Sequence, residues 1–356
     1  MEKIKVAILK GRKELEGSSG VDFFTLNLFE ELKKSEYLDV KLIYGNYSLP
    51  GMFKFLHFNN LDAFDVVHNC VPGLGMFIRT KRPIVTTVYD DFMFHPNIFT
   101  RGLPFLKKIK VRIIKKLWSI GLTYDINRSK KIIAISNVSK EAYEKRFNNL
   151  KNIDIIPVGI NTNIFKPISM YKNKKRKDIT RLFYCGRINY RKGVDLLLDA
   201  VRLLITDYNI KKIRLYLTGA CDNNFNLAYE IKKRQLDNFV VYQVGKNIKE
   251  LAVEYNLSDI FVFPSRLEGF GIPPIEALAC GLNVVSTGVP SILDFPEVIR
   301  VEKNSKSIAI GIINAMRQKT DNKTAIDTIN KNYTTTRIAQ FYVNIYKKVV
   351  NNYYNL

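Results

Sequence analysis

The stretch from Pro264 to Gly281, PSRLEGFGIPPIEALACG, constrains the fold of this chain more than any other. It follows four apolar residues, Ile260 to Phe263, which read as a buried strand. A polar loop containing Gly269 and Gly271 comes next, and Pro273 and Pro274 stand where a helix would open. Gly281 suits the end of that helix, and Asn283 to Ser286 reads as a second strand. Strand, glycine loop, helix, strand is a βαβ unit, and open α/β sheets bind ligands at the carboxyl ends of such strands.

Two carboxylates sit in this unit, Glu268 in the loop and Glu276 in the first helical turn. The glycines let backbone N–H groups approach a bound group, and the helix start favours anions. Carboxylates accept hydrogen bonds, so Glu268 and Glu276 suit hydroxyl-rich partners such as a sugar and a ribose. The same residues also describe a surface loop with a dipole-favoured glutamate.

The unit is repeated in looser form along the chain. Lys3–Leu9, Val40–Tyr44, Val66–His68, Ile84–Tyr89, Lys131–Ile135 and Ile153–Ile156 read as strands separated by helical or loop segments. A second series starts at Arg181, with strands Ile213–Thr218 and Phe239–Gln243 and helices near 193–204, 226–234 and 248–256. A length of 356 residues suits two domains. The expected architecture is therefore α/β: two doubly wound Rossmann-like domains facing across a ligand-bearing cleft. The first domain is expected over 1–165, a basic unpatterned linker over 166–180, and the second domain over 181–335. The apolar stripe of 336–356 reads as a packing helix that rejoins the first domain.

In the second domain, Gly186 to Gly193 (GRINYRKG) leaves a strand and enters a helix. Arg187 can grip phosphate oxygens in a fork, and Lys192 adds a point charge. Both emerge at the same sheet edge as Glu268 and Glu276. Cations for a diphosphate beside carboxylates for hydroxyls describe a nucleotide-sugar site. In the first domain, the loop from Gly11 to Gly20 offers another anion-binding strand–helix turn. Neither the dinucleotide fingerprint nor the P-loop sequence is present, which disfavours NAD enzymes and P-loop NTPases.

GRINYRKG followed by PSRLEGFGIPPIEALACG resembles the signature of the large retaining glycosyltransferase family of the GT-B fold, family 4 in the usual classification. Glu268 and Glu276, eight positions apart, match its paired-glutamate motif, and GSSGVDFFTLNLFEEL, DVVHNC, IVTTVYDD, IIAISNVS and IPVGINTNIFKP agree along nearly the whole chain. The resemblance implies roles. Arg187 and Lys192 would bind the donor diphosphate and stabilise its developing charge. Glu268, with the N–H groups of Gly269, Phe270 and Gly271, would hold the transferred sugar, and Glu276 the ribose. Gly17 and Gly20 would close on the phosphates beside Gly186, and the base would lie near Gly219 and Val244. The implied reaction moves a hexose-type sugar from a nucleoside-diphosphate sugar to a hydroxyl acceptor with retention, without metal or other cofactor.

Two departures from the family stand on the acceptor side. Thr87-Val88-Tyr89-Asp90 carries Tyr89 where many relatives have a sugar-contacting histidine, so Tyr89 and Asp90 are candidates for that wall. His68-Asn69-Cys70 stands where two histidines often alternate; His68 and His95 read as packing or surface residues. A sugar-nucleotide epimerase, or an altered GT-B protein acting as a polyanion- or membrane-binding module, are the alternatives.

The formal charge of +23 predicts attraction to polyanions. No nucleic-acid motif accompanies it, so nucleic acid is not the expected partner. Residues 103–118, LPFLKKIKVRIIKKLW, form a basic helix with an apolar stripe. That stripe suits either an anionic membrane surface or packing on the first sheet. No run reaches membrane-span length. The four cysteines lack metal or disulfide spacing, and with no signal peptide at the N-terminus the expected location is cytoplasmic, peripheral at the membrane if the helix binds lipid.

Overall fold

The computed structural model describes residues 2–11, 20–44, 60–73, 75–89, 105–147, 150, 153–172, 178–318 and 322–354. They divide into two units, one taking in the described residues of 1–96, 105–159 and 333–356, the other those of 160–332.

The first unit carries strands β1 (Ile4–Lys10), β2 (Leu38–Tyr44), β3 (Val66–Asn69), β4 (Ile84–Val88), β5 (Ser129–Ala134) and β6 (Ile153–Ile155). They form one parallel sheet in the order β2-β1-β3-β4-β5-β6. Strands β3 and β4 are buried along their whole length, as expected for a parallel sheet covered on both faces. Helices α1 (Gly20–Leu32), α2 (Phe105–Arg128) and α3 (Asn137–Arg146) belong to this unit. Ser136 caps α3, its hydroxyl accepting from the Ser139 N–H. At the carboxyl end of β1, buried Lys10 lies 3.5 Å from Asp22 of α1.

The second unit carries β7 (Thr180–Cys185), β8 (Ile213–Thr218), β9 (Val240–Gln243), β10 (Ile260–Phe263), β11 (Asn283–Ser286) and the two-residue β12 (Ile299–Arg300). Its helices are α4 (Val194–Thr206), α5 (Leu227–Lys233), α6 (Ile248–Leu257), α7 (Ile272–Ala279), α8 (Ser305–Arg317) and α9 (Lys323–Asn332). The sheet is again parallel, in the order β12-β11-β10-β7-β8-β9. The chain winds outward from β7 in one direction and from β10 in the other. The β7–β10 pair is therefore the topological switch point, where such sheets hold ligands. Phe183, Phe261, Tyr255 and Phe165 pack ring to ring in its core, with centroids 5.2–5.9 Å apart.

The last helix, α10 (Thr335–Tyr354), returns to the first unit. It packs on α1 and reaches the sheet through Tyr342 and Tyr346. The Tyr346 hydroxyl lies 2.6 Å from His68 Nδ1, and His68 Nε2 lies 2.8 Å from Thr87 Oγ1. Burial pushes the His68 imidazole down to about 3, so it sits neutral in a polar network and takes the packing role expected of it.

The two-domain Rossmann-like expectation matches this architecture. Three details differ from the sequence reading. The contact division falls between 159 and 160 rather than at 165, because Ile160 and Phe165 are buried and Phe165 packs on Tyr255. Within the segment read as a linker, Ser169–Lys172 is a helical turn, and the Ile168 N–H donates to Asn256 Oδ1 at 2.7 Å. The basic helix read over 103–118 continues to Arg128.

Candidate active site

The loops that follow β7 and β10 interlock at the switch point. Gly186 leaves β7, and Tyr184, buried below it, donates its hydroxyl to the Arg187 carbonyl at 2.7 Å. The loop ends at Gly193, which caps α4 with a φ of 70°. A Cβ there would stand 2.0 Å from the Pro264 carbonyl oxygen, so only glycine lets the two loops touch. The Arg266 N–H donates to the Arg191 carbonyl at 2.9 Å, and Arg191 Nη1 donates to the Leu267 carbonyl at 2.9 Å. Arg266 also forks onto Asp195 of α4 at 2.7 and 2.8 Å. Gly193→Ala is expected to cost at least about 2 kcal/mol of stability, since strain at positive φ adds to the backbone clash. Urea unfolding checks this.

This scaffold brings Glu268 and Lys192 together. Lys192 Nζ donates to Glu268 Oε1, Ser265 Oγ donates to the same oxygen at 2.7 Å, and Arg191 Nη1 stands 3.7 Å from Oε2. The Glu268 side chain is 8% exposed. Burial opposes its ionisation, but the charges of Lys192 and Arg191 outweigh burial and hold the carboxyl below its ordinary value. The site thus contains an ionised, oriented carboxylate shared by two cations.

Arg187 is more exposed. Its Nη1 lies 3.2 Å from Asp222 Oδ1, beyond β8, and Asn189 Nδ2 donates to the other Asp222 oxygen at 2.7 Å. Asn189 Oδ1 in turn accepts the Lys192 N–H at 2.9 Å. One network therefore links Asp222 to the backbone of Lys192 and to the Arg187 guanidinium.

Glu276 lies on α7, which Gly271 opens, and accepts the Tyr255 hydroxyl at 3.0 Å. Burial raises its carboxyl to about 7, with only the Tyr255 hydrogen bond opposing. The two glutamates consequently differ: neighbouring cations hold one below the ordinary carboxylate value, and burial raises the other well above it.

The remaining candidates lie along the same edge. Gly219, after β8, packs so closely on Gly186 that an added Cβ would stand 2.1 Å from its carbonyl oxygen. Val244, after β9, is 63% exposed. Phe270 is buried, and its carbonyl accepts the Ser291 N–H at 2.9 Å, which pins the loop containing Gly269 and Gly271. Among the described residues, no group of three or more His, Cys, Asp and Glu side chains is placed to hold a metal ion.

Of the first-unit candidates, Gly20 opens α1, while Gly17, Asp90 and His95 lie outside the described residues. Tyr89 is 6% exposed, with its ring edge-on to Phe24 of α1 at 5.8 Å. Sequence reasoning missed Arg191, Ser265, Tyr255 and Asp222. Arg191 lay inside the motif, one residue from Lys192. Asp222 follows a strand end closely, which was a usable signal. Nothing in the spacing pointed to Tyr255.

A parallel sheet with cations and carboxylates gathered at its switch point, alongside a second Rossmann-like unit, defines a protein with the architecture of GT-B glycosyltransferases. The sequence resembles the same class. Residues 165–331 match the family described as Glycosyl transferases group 1. An uncharacterized glycosyltransferase of Methanocaldococcus jannaschii is 28% identical over 329 residues, covering 86% of this chain and 81% of that protein. A D-inositol 3-phosphate glycosyltransferase of Pseudarthrobacter chlorophenolicus is 32% identical over 166 residues, 44% of this chain. That match spans only 39% of the relative's own length. The solved structure of Anabaena Alr3699/HepE in complex with UDP-glucose shares the fold, with a TM-score of 0.72 at 15% identity, covering 99% of this chain and 100% of that one.

Proposed function

We infer that this protein is a glycosyltransferase that moves a hexose-type sugar from a nucleoside-diphosphate sugar to a hydroxyl acceptor, with retention of configuration. The observation that carries this reading is the ion pair of Lys192 with Glu268 across the β7 and β10 loops, with Arg187 on the same β7 loop and Glu276 on the α7 helix that follows the β10 loop. Fold relatives crystallised with a nucleotide sugar add support.

In this reading Lys192 and Arg187 hold the donor diphosphate at the switch point. Lys192 reaches it from beside Glu268, and Arg187 by exchanging Asp222 for phosphate oxygens. Glu268 and the N–H groups from Gly269 to Gly271 orient the sugar. Glu276 accepts the ribose hydroxyls, and the base lies over Gly219 and Val244. The bond between the anomeric carbon and the phosphate oxygen breaks as the acceptor oxygen attacks from the same face. The leaving diphosphate takes the acceptor proton, and its developing charge is met by the two cations. No metal is part of this scheme. Family 4 membership belongs to the same reading, as does action in the cytoplasm, where the unpaired Cys70, Cys185, Cys221 and Cys280 would remain reduced.

Incubation with a panel of nucleotide sugars tests it. Slow release of nucleoside diphosphate from one donor is expected, and a product of retained anomeric configuration by NMR once an acceptor is found. Absence of calorimetric binding to every donor, together with DNA binding, would instead support the polyanion-binding module.

A further inference from the structure

Given the reading of Arg187 as a phosphate ligand, we propose that Asp222 is its positioning residue: Asp222 holds Arg187 beside the site while no donor is bound, and yields it when the diphosphate arrives. The reaction as read above gives Asp222 no part of its own. Yet its carboxylate stands 3.2 Å from one of the two cations assigned to the diphosphate. An anion so placed competes with phosphate for the same guanidinium.

The two ends of this pair are held very differently, and Asp222 is the fixed one. The Gly186 N–H donates to the Thr218 carbonyl at 3.0 Å, the Ile188 N–H to the Ala220 carbonyl at 2.9 Å, and the Asp222 N–H to the Ile188 carbonyl at 3.1 Å. The stretch after β8 therefore runs on beside the loop after β7 and extends their parallel pairing. The Asp222 carbonyl accepts the Phe225 N–H at 2.9 Å, and the buried Phe225 ring stands edge-on to Tyr190 at 4.9 Å. The second Asp222 oxygen accepts Asn189 Nδ2 at 2.7 Å, and Asn189 is 8% exposed.

Arg187 is the movable partner. Its side chain is 41% exposed and that of Asp222 30%, so water screens the pair and it opens at little cost. Lys192 and Glu268 are 14% and 8% exposed by contrast. One cation is thus bound firmly to a carboxylate the reaction uses, and the other loosely to one it does not. When Arg187 leaves, Asn189 still binds Asp222 through Nδ2 and the Lys192 N–H through Oδ1. The arginine can swing without loosening the loop that carries Lys192. Diphosphate affinity is then reduced in proportion to the molecules whose Arg187 is held on Asp222.

Calorimetry of the full chain with inorganic pyrophosphate tests this. Asp222→Asn removes the charge and keeps an oxygen for Asn189, so an unchanged melting temperature is expected. Pyrophosphate should bind this variant about two- to fivefold more tightly than the wild type, the range of an exposed ion pair. In an Arg187→Ala background the same change should shift binding by less than about 1.5-fold, because the two side chains act as a couple. Phenylglyoxal labelling of Arg187 without any ligand, followed by peptide mass spectrometry, should be faster in Asp222→Asn by a similar factor. A merely structural Asp222 has the opposite sign, since a loosened loop would weaken pyrophosphate binding. Weaker or unchanged binding in Asp222→Asn would overturn the positioning role, as would equal tightening with and without Arg187. A wild type that does not bind pyrophosphate would overturn Arg187 and Lys192 as phosphate ligands, and the role of Asp222 with them.

Discussion

Lys192→Ala is expected to lower donor turnover by about 10²–10³-fold, the range for losing one preorganised electrostatic contact to a developing charge. It is also expected to destabilise the fold by about 3 kcal/mol, because it leaves a buried carboxylate short of its nearest cation. Arg191 at 3.7 Å and the Ser265 hydroxyl remain, which keeps the cost at the lower end of that range. The pH dependence identifies the carboxylate. Glu268 is held below its ordinary value, so it contributes stability above about pH 4.3. That contribution is lost as pH falls through the lower folded value. Without Lys192 the folded value rises, and the acid-side loss should begin at higher pH. Urea midpoints measured from pH 3 to 7 would show the displacement. Wild-type turnover with an unmoved acid limb would remove Lys192 from the proposed mechanism.

Glu276→Gln is expected to produce the opposite stability effect. The wild-type carboxyl titrates near 7 in the fold and near 4.3 when unfolded. Between those values the unfolded chain releases its proton first, so stability falls as pH rises from about 4 to about 7. The amide removes this loss, worth on the order of 3 kcal/mol at pH 8, while retaining a partner for the Tyr255 hydroxyl. Donor affinity should move the other way. Hydrogen bonds from ribose hydroxyls to a carboxylate are charge-assisted, and losing that charge is expected to weaken binding by roughly 10- to 100-fold. Calorimetry in buffers of different ionisation enthalpy provides a second readout. Wild-type binding near pH 7 should release a proton and the glutamine variant should not. A variant that is more stable at pH 8 yet binds donor normally would separate Glu276 from the ribose.

The fold was legible because parallel sheets write themselves plainly. Ile260–Phe263 is an unbroken apolar run since both of its faces are covered; β2, β6 and β9 are more exposed and carry polar residues, yet β-branched and aromatic residues between turn signals still marked them, and only β12 left no signal. Two residues are too few to carry a pattern. The cations and carboxylates of the site were legible because strand–loop–helix turns deliver them to one edge whatever the tertiary detail. Their protonation was not. Glu268 and Glu276 look alike in the sequence, and they diverge because Lys192 and Arg191 reach one while only Tyr255 reaches the other. The packing of Tyr89 was not legible either: it follows β4, and strand position alone does not show that its ring packs onto Phe24.

The return of α10 to the first unit has a consequence for biosynthesis. Its buried face, including Ile338, Tyr342 and Tyr346, covers α1 and β3, elements made some three hundred residues earlier in translation. A ribosome therefore releases the second unit's strands and helices while the opening sheet still lacks one of its covering layers. The His68 network cannot close until Tyr346 of α10 emerges. Domains usually mature in the order in which they are synthesised. Here the first unit is begun before the second and completed only after it.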